Sequence, residues 1–528
     1  YTTVCSRNRL RAPSTSFFQL SIAILVHVAD LAIQPCTLHT LSNILRKPEK
    51  MEAPLAAPAS STTAVPFACG TCAAPVCDCF GSVASAMALC RQSIQRAALN
   101  ETTSKYNILP EVVALKNILV DTRRHLHQHP ELSYQEVNTA KYLKAQIEDI
   151  AQSTGACFET VQEQVDGTTG MWVDLVLGDG QGPTVLLRAD MDALPIQESG
   201  NKPYKSQNDG CMHACGHDAH MSILMGAIRV LANDANGIND SSTSLDDRSA
   251  PPTKLLRGKV RFLFQPAEEG GAGALRMIQG GCLDGVDRVF GLHVWNFMEA
   301  GVVGVAPGPI TAFSDRIFID IIGAGGHGSM PQGTVDAVLV AAHLTIALHS
   351  GVVSRSVDPF EAVALTIGRI EGGEVANAIA GKASLKGTVR TRNAETKKIV
   401  MQRITEICSG VGVTFGAKIE LNYKHGYPAT VSSEKGANDV RVAALPIVGS
   451  DNIVPPHPTL AGEDMSYYLE QRDGAFFFVG SKSPDESVVP HHRADFDIDE
   501  TCMDVGASVM VTLIRNLCGG EKEILAKK

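Results

Sequence analysis

His213-Ala214-Cys215-Gly216-His217-Asp218-Ala219-His220 crowds three imidazoles, a thiol and a carboxylate into one short segment. Directly after it, Met221, Leu224, Met225, Ile228 and Leu231 recur at helical spacing, so the segment stands at the start of a helix and those methionines read as core. Neutral imidazole and thiolate are strong ligands for zinc-like cations, and Gly216 lets the backbone turn tightly between Cys215 and His217. Alone, the segment also reads as a His-rich turn capping a helix. A Glu pair and two further His motifs downstream favour the metal reading.

Working outward, strand patterns occupy 171–177 and 184–188, joined by the turn-like 178–183. The second runs into Arg188-Ala189-Asp190-Met191-Asp192-Ala193-Leu194-Pro195, with two acids past its end. Residues 233–257, rich in Asn, Asp, Ser and Pro, read as a surface insertion. Short buried strands follow at 260–264, closed by Gln265-Pro266, and at 286–294, ending in Gly291-Leu292-His293. Strands alternating with helices imply an α/β domain, a mostly parallel sheet flanked by helices, with ligands gathered beyond the strands' carboxyl ends. From about 310 the order changes to a strand (316–322), a helix (335–350), two strands (362–370 and 381–390) and a helix (395–411). That βαββαβ-like order points to an inserted α+β, ferredoxin-like unit. The expected division is a catalytic domain of 105–310 with 427–520, and an inserted lid or dimerisation domain of 311–426.

The balance of 46 Lys+Arg against 56 Asp+Glu leaves a net charge of −10, with no basic stripe to neutralise phosphates; nucleic acid is not an expected partner. Residues 1–104 read as a leader. Arg7, Arg9 and Arg11 precede an apolar run from Phe17 to Ile33 broken by His27 and Asp30, a pattern that fits a secretory signal or an organelle transit peptide. The run falls short of the roughly 20 clean apolar residues of a membrane helix, so no stable span is expected. The chain opens on Tyr1 rather than Met; with Met51 as the true start, a cytoplasmic location follows. Cys69, Cys72, Cys77 and Cys79 lack flanking strand or helix patterns and read as an unstructured tract. In Arg123-Arg124-His125-Leu126-His127-Gln128-His129, the three His fall on different helix faces, which favours packing or capping over a metal site.

The candidate ligands, in chain order, are Cys215, His217, Glu269, His293 and His492. Five donors of mixed N, S and O type suit two divalent cations sharing one ligand, with Cys215 the bridge; softness favours zinc, and manganese, cobalt and nickel are also compatible. Adjacent carboxylates at Glu268-Glu269 repel unless a positive charge lies beside them, and a cation supplies it. Successive side chains diverge, so Glu269 is assigned as ligand and Glu268 as the general base that takes a proton from water and delivers it to a leaving amine. Acids at a helix start are the bland alternative for this pair.

Arg188–Pro195, His213–His220, Gln265-Pro266-Ala267-Glu268-Glu269-Gly270 and Gly291-Leu292-His293 resemble the amidohydrolase branch of the aminoacylase/carboxypeptidase metallopeptidases, over about residues 110–518. That group includes auxin–amino acid conjugate hydrolases, hippurate hydrolases and N-acetyl-diaminopimelate deacetylases. The resemblance implies a dinuclear site, of manganese or zinc, that hydrolyses the amide of a small N-acyl amino acid. It places metal ligands on Cys215, His217, Glu269, His293 and a carboxyl-terminal His, the base on Glu268, and a residue orienting a His ligand on Asp192. Within Val489-Pro490-His491-His492-Arg493-Ala494-Asp495-Phe496, spacing to Phe496 favours His492 over His491, although Ala494 replaces the family's Pro. The resemblance also implies that His327, in Gly325-Gly326-His327-Gly328-Ser329, acts as an electrophile at the scissile carbonyl. In the family that His often comes from the neighbouring subunit of a homodimer formed through the inserted domain. Asn377, Arg390 and Gly462 fall on substrate-holding positions, the guanidinium suiting a free carboxylate.

Two rivals share the scaffold: a metallo-dipeptidase and a binding homologue with impaired catalysis. A zinc nucleobase deaminase would need H-x-E with a later P-C-x-x-C, which the body lacks. The Gly-rich strings at 270–273 and 323–328 lack the strand–G-x-G-x-x-G–helix context of a dinucleotide site.

Overall fold

The computed structural model describes residues 105–236, 256–456, 459–484 and 487–519. The leader, its cysteines and most of the 233–257 insertion lie outside the described residues. Twelve strands frame the body, here β1 (Phe158–Gln162), β2 (Met171–Leu177), β3 (Thr184–Asp190), β4 (Gly258–Gln265), β5 (Arg288–Glu299), β6 (Val303–Gly304), β7 (Phe313–Ile322), β8 (Val363–Gly372), β9 (Lys382–Thr391), β10 (Lys418–Lys424), β11 (Ile453–Val454) and β12 (Asp473–Lys482). The main helices are α1 (Lys116–Gln128), α2 (Val137–Thr154), α3 (His217–Ala235), α4 (Ala337–Leu348), α5 (Ala394–Phe415), α6 (Glu434–Val448) and α7 (Cys502–Cys518).

The larger sheet is eight-stranded, in the order β1-β2-β4-β3-β5-β12-β6-β11. Its centre, β4-β3-β5-β12, is parallel, and antiparallel pairs flank it. Near-continuous burial along β3, β4 and β12 is what a sheet covered on both faces requires. Leu187, Phe262, Phe290 and Phe477 point to the face that joins the core of α1, α3, α6 and α7. Leu186, Leu263, Val289, Phe476 and Phe478 point to the other, against Trp172, Met277 and Tyr468. Leading into α3, Gly216 (φ 92°) cannot be replaced without collision, because a Cβ there would sit 2.4 Å from Val294 Cγ2. The helix therefore starts hard against β5.

The second sheet is antiparallel, in the order β8-β9-β7-β10. Alternation along β7 sends Ile317, Ile319 and Ile321 under α4 and α5, where they meet Leu344, Leu385, Val400 and Ile404. The even-numbered residues of β7 form its open face. With α4 after β7 and α5 after β9, the order is βαββαβ as expected; the closing strand β10 was not among the sequence-based elements, and neither were β1 and β12. No helix among the described residues is long and apolar enough to cross a membrane.

Candidate metal centre

The donors come from four segments brought to one end of the larger sheet. Cys215 and His217 sit in the turn into α3 and on its first residue. Glu268 and Glu269 follow β4, in a turn whose flanking Ala267 and Ala272 both take φ 53°. His293 lies within β5, which runs on to Glu299; it does not stand past the strand's end as the sequence pattern implied. His492 occupies a loop before α7, with φ 65°.

Cys215, His217 and His293 present donor atoms within 4.8 Å of one another, and so do Cys215, Glu269 and His492. Cys215 is common to both groups. Its Sγ lies 3.4 Å from His293 Nε2, and His492 Nε2 lies 3.1 Å from Glu269 Oε1. His217, Glu268 and Glu269 form a further close group. The neighbouring His491 is placed differently. Its half-buried ring is stacked 4.9 Å from Trp295 and lies tilted 4.9 Å from Phe496.

Hydrogen bonds set the imidazole tautomers. His217 Nδ1 donates to the Asp192 carbonyl at 2.8 Å, and His293 Nδ1 to the Val294 carbonyl at 2.6 Å, so in the neutral form of each ring Nε2 keeps its lone pair. The nearest orienting atom of Asp192 is its main-chain oxygen, with its Oδ1 3.5 Å from the same nitrogen. Its carboxylate accepts the peptide N–H groups of Glu268 and Glu269, each at 3.0 Å, and the Ser133 hydroxyl at 2.7 Å. Glu136 accepts the Ala267 N–H at 2.9 Å, and the Tyr427 hydroxyl donates to the Glu268 carbonyl at 2.7 Å. The turn that carries the Glu pair is held from both sides.

The electrostatics fit a cation. His217 Nε2 and Glu269 Oε1 are buried without a hydrogen-bond partner among the described residues. Burial disfavours charge on His217, yet Asp190, then Asp192 and Glu269, bring its imidazole up to about 10. Burial, then Glu269 and Glu268, push the Cys215 thiol well above its ordinary range. Burial, then Glu463 and Glu269, do the same to the Glu268 carboxyl. The locus calls for positive charge, and a divalent ion supplies it while leaving the thiolate free to ligate.

Other candidates stand apart. His327 is exposed, with Nδ1 accepting from the Ser329 N–H at 3.2 Å, and its backbone pairs with Ala378 beside the exposed Asn377. Nothing joins either residue to the metal donors within this chain's described residues. Arg390 pairs in register with Ser314, and a Cβ on Gly462 would sit 2.9 Å from Ser314 Cβ, so Arg390 and Gly462 flank one position. Sequence reasoning gave no role to Arg188, His220 and Asp464, which surround Asp190 beneath the donors. Arg188, fully buried, donates to Asp190 at 2.6 Å and to Asp464 at 2.9 Å; Asp190 accepts from His220 Nδ1 at 2.6 Å, and His220 Nε2 accepts the Val294 N–H at 2.9 Å. The available signal was spacing: Arg188 and Asp190 alternate onto one strand face, and His217 and His220 share one helix face.

Similarity to known proteins spans the segments that carry these donors. Peptidase family M20/M25/M40 matches at 186–245 and 249–516. The chain belongs to that family. An N-acetyl-L-cysteine deacetylase of Bacillus subtilis is 37% identical over 392 residues, 74% of this chain and 85% of the relative. An N-acyl-L-amino acid amidohydrolase of Geobacillus stearothermophilus is 38% identical over 334 residues, 63% of this chain and 83% of that one. Among solved structures, the Bacillus subtilis YXEP protein, described as a dinuclear metal-binding M20 peptidase, aligns with a TM-score of 0.62 at 29% identity, covering 77% of this chain and 99% of that one. This protein is accordingly an M20-family hydrolase of the amidohydrolase branch, on an α/β frame with a separate antiparallel sheet.

Proposed function

We propose that this M20-family hydrolase cleaves the amide bond of small N-acyl amino acids, with Glu268 as general base. The observation that carries the reading is the meeting of Cys215, His217, Glu269, His293 and His492, with Glu268 beside two of them. Those five would hold two divalent cations, zinc or manganese, which supply Lewis acidity toward the scissile carbonyl and make water more acidic. Glu268 accepts the proton of the attacking water and passes it to the leaving amine. Asp192 keeps His217 and the Glu pair in place. Arg390 and Gly462 receive the amino acid's carboxylate. The names of the deacetylase and amidohydrolase relatives support the acyl-amino-acid class.

Residues 105–310 with 427–520 form the catalytic part and 311–426 the lid. His327 serves the site of a second copy, because in its own chain it faces outward. Val338, Leu339 and Ile346 of α4 and Ile370 of the edge strand β8 are exposed apolar residues on that lid and suit a homodimer. Hydrolysis of acetyl-, benzoyl- and indole-acetyl-amino acids, set against dipeptides with free amino termini, tests the reading. Turnover of blocked substrates is expected; turnover confined to free dipeptides would replace it with the dipeptidase reading.

A further inference from the structure

The open face of the lid sheet carries two guanidiniums without counterions. Arg390 on β9 stands opposite Ser314 on β7, and Arg316 lies two residues further along β7 on the same face. Diagonal neighbours of this kind are about 7 Å apart, within reach of long side chains. Neither arginine has a hydrogen bond or ion pair among the described residues, and Arg390 Nη1 is buried with no partner. Lys424 on β10 is directly opposite Arg316, its ammonium 5.2 Å from the Phe318 ring.

The nearby acids are committed elsewhere. Asp315 points through the sheet and accepts from Lys397 Nζ, the Tyr423 hydroxyl and the Gly426 N–H. Asp320, the next acid of β7 on the open face, is four residues on, about 13 Å along the strand. Two guanidiniums this close repel each other, and burying an unpaired N–H is costly. An anionic ligand spanning both removes each penalty.

This face also borders the reaction centre. Ser314 packs on Gly462, Gly462 adjoins Glu463, and Glu463 lies with Glu268 in one close carboxylate group. With the amide at Glu268 and the α-carboxylate at Arg390, a side chain extending along β7 comes within reach of Arg316. We propose that Arg316, beside Arg390, is a second anion contact that selects N-acyl amino acids with an acidic side chain, N-acyl-glutamate and N-acyl-aspartate. The assignment rests on the hydrolase reading and on Arg390 as carboxylate anchor.

The test is calorimetric binding of N-acetyl-glutamate and its neutral isostere N-acetyl-glutamine to zinc-loaded Glu268→Gln protein. One charge-assisted contact predicts about tenfold tighter binding of the glutamate compound. Adding Arg316→Gln should bring the ratio near one, and Arg316→Lys, which keeps the charge, should retain part of it. Equal affinities before the Arg316 change, or a ratio that survives it, would overturn the proposal. Wild-type protein that hydrolyses no N-acyl amino acid, with the binding ratio intact, would remove the hydrolase reading and leave the anion contact standing.

Discussion

Arg123 Nε donates to Asp218 Oδ2 at 2.8 Å with both side chains fully buried, and this pair ties α1 to the helix that begins at His217. Through its other nitrogens the same guanidinium reaches Asp497 at 2.8 Å and Glu500 at 3.1 Å, beyond the loop that carries His492. His127 adds a second brace, with Nδ1 2.8 Å from Asp218 and Nε2 3.2 Å from Glu198. One buried cation therefore clamps two donor-bearing segments that are far apart in the chain. Arg123→Met strands Asp218 without its counter-charge, a loss of about 3–5 kcal/mol. Chemical denaturation should show it, together with weaker zinc binding. Arg123→Lys should restore little, because one ammonium nitrogen cannot reach acids that the guanidinium meets through three different nitrogens; full recovery with lysine would contradict the clamp.

Glu268→Gln should keep both metals and lose turnover by about 10²–10⁴, the span of general acid–base catalysis. Elemental analysis alongside steady-state rates checks this, and near-normal turnover would refute the base assignment.

Cys215→Ser removes the one donor common to both ligand groups. Metal content should fall and chelator-driven metal loss should accelerate. Unchanged stoichiometry and affinity would exclude Cys215 as the bridge.

Glu136 yields a pH signature. Burial raises its carboxyl from 4.5 to about 7, against the pull of its hydrogen bonds from Thr169 and Ala267. Between those values the folded chain holds a proton that the unfolded chain releases, so this group's contribution to stability declines as pH rises through that window and is flat above it. In metal-free protein, Glu136→Gln should make the stability–pH slope less negative by about 1.4 kcal/mol per pH unit. Denaturation at about pH 5 and about pH 7 reads the difference; parallel curves for the two proteins would show that Glu136 does not titrate there.

For His327, mixing two inactive chains, His327→Ala and Glu268→Gln, should restore partial activity if a second copy supplies the imidazole. Dimers that form in the mixture without regaining activity would place the completed site within one chain.

The sequence by itself determined the residue types and the alternation that orders them. Runs such as Val260 to Phe264, apolar but for Arg261, have too little polar surface for an exposed face and become central strands, and the His213–His220 segment opens a helix because apolar residues at helical spacing follow it. Donors within a few residues of one another, such as Cys215 and His217, were legible for the same reason. Tertiary structure alone decided the long-range partners. His492 rather than His491 lies against Glu269, because packing of His491 on Trp295 and Phe496 turns the next residue outward. Asp192 meets His217 Nδ1 through its carbonyl at 2.8 Å and its carboxylate at 3.5 Å, and the same carboxylate accepts the N–H groups of the Glu pair. Arg123, in a segment whose histidines alone invited attention, braces the centre from behind. Local patterning reports which face of an element is buried; which buried charge meets which depends on how strands and helices distant in the chain are stacked.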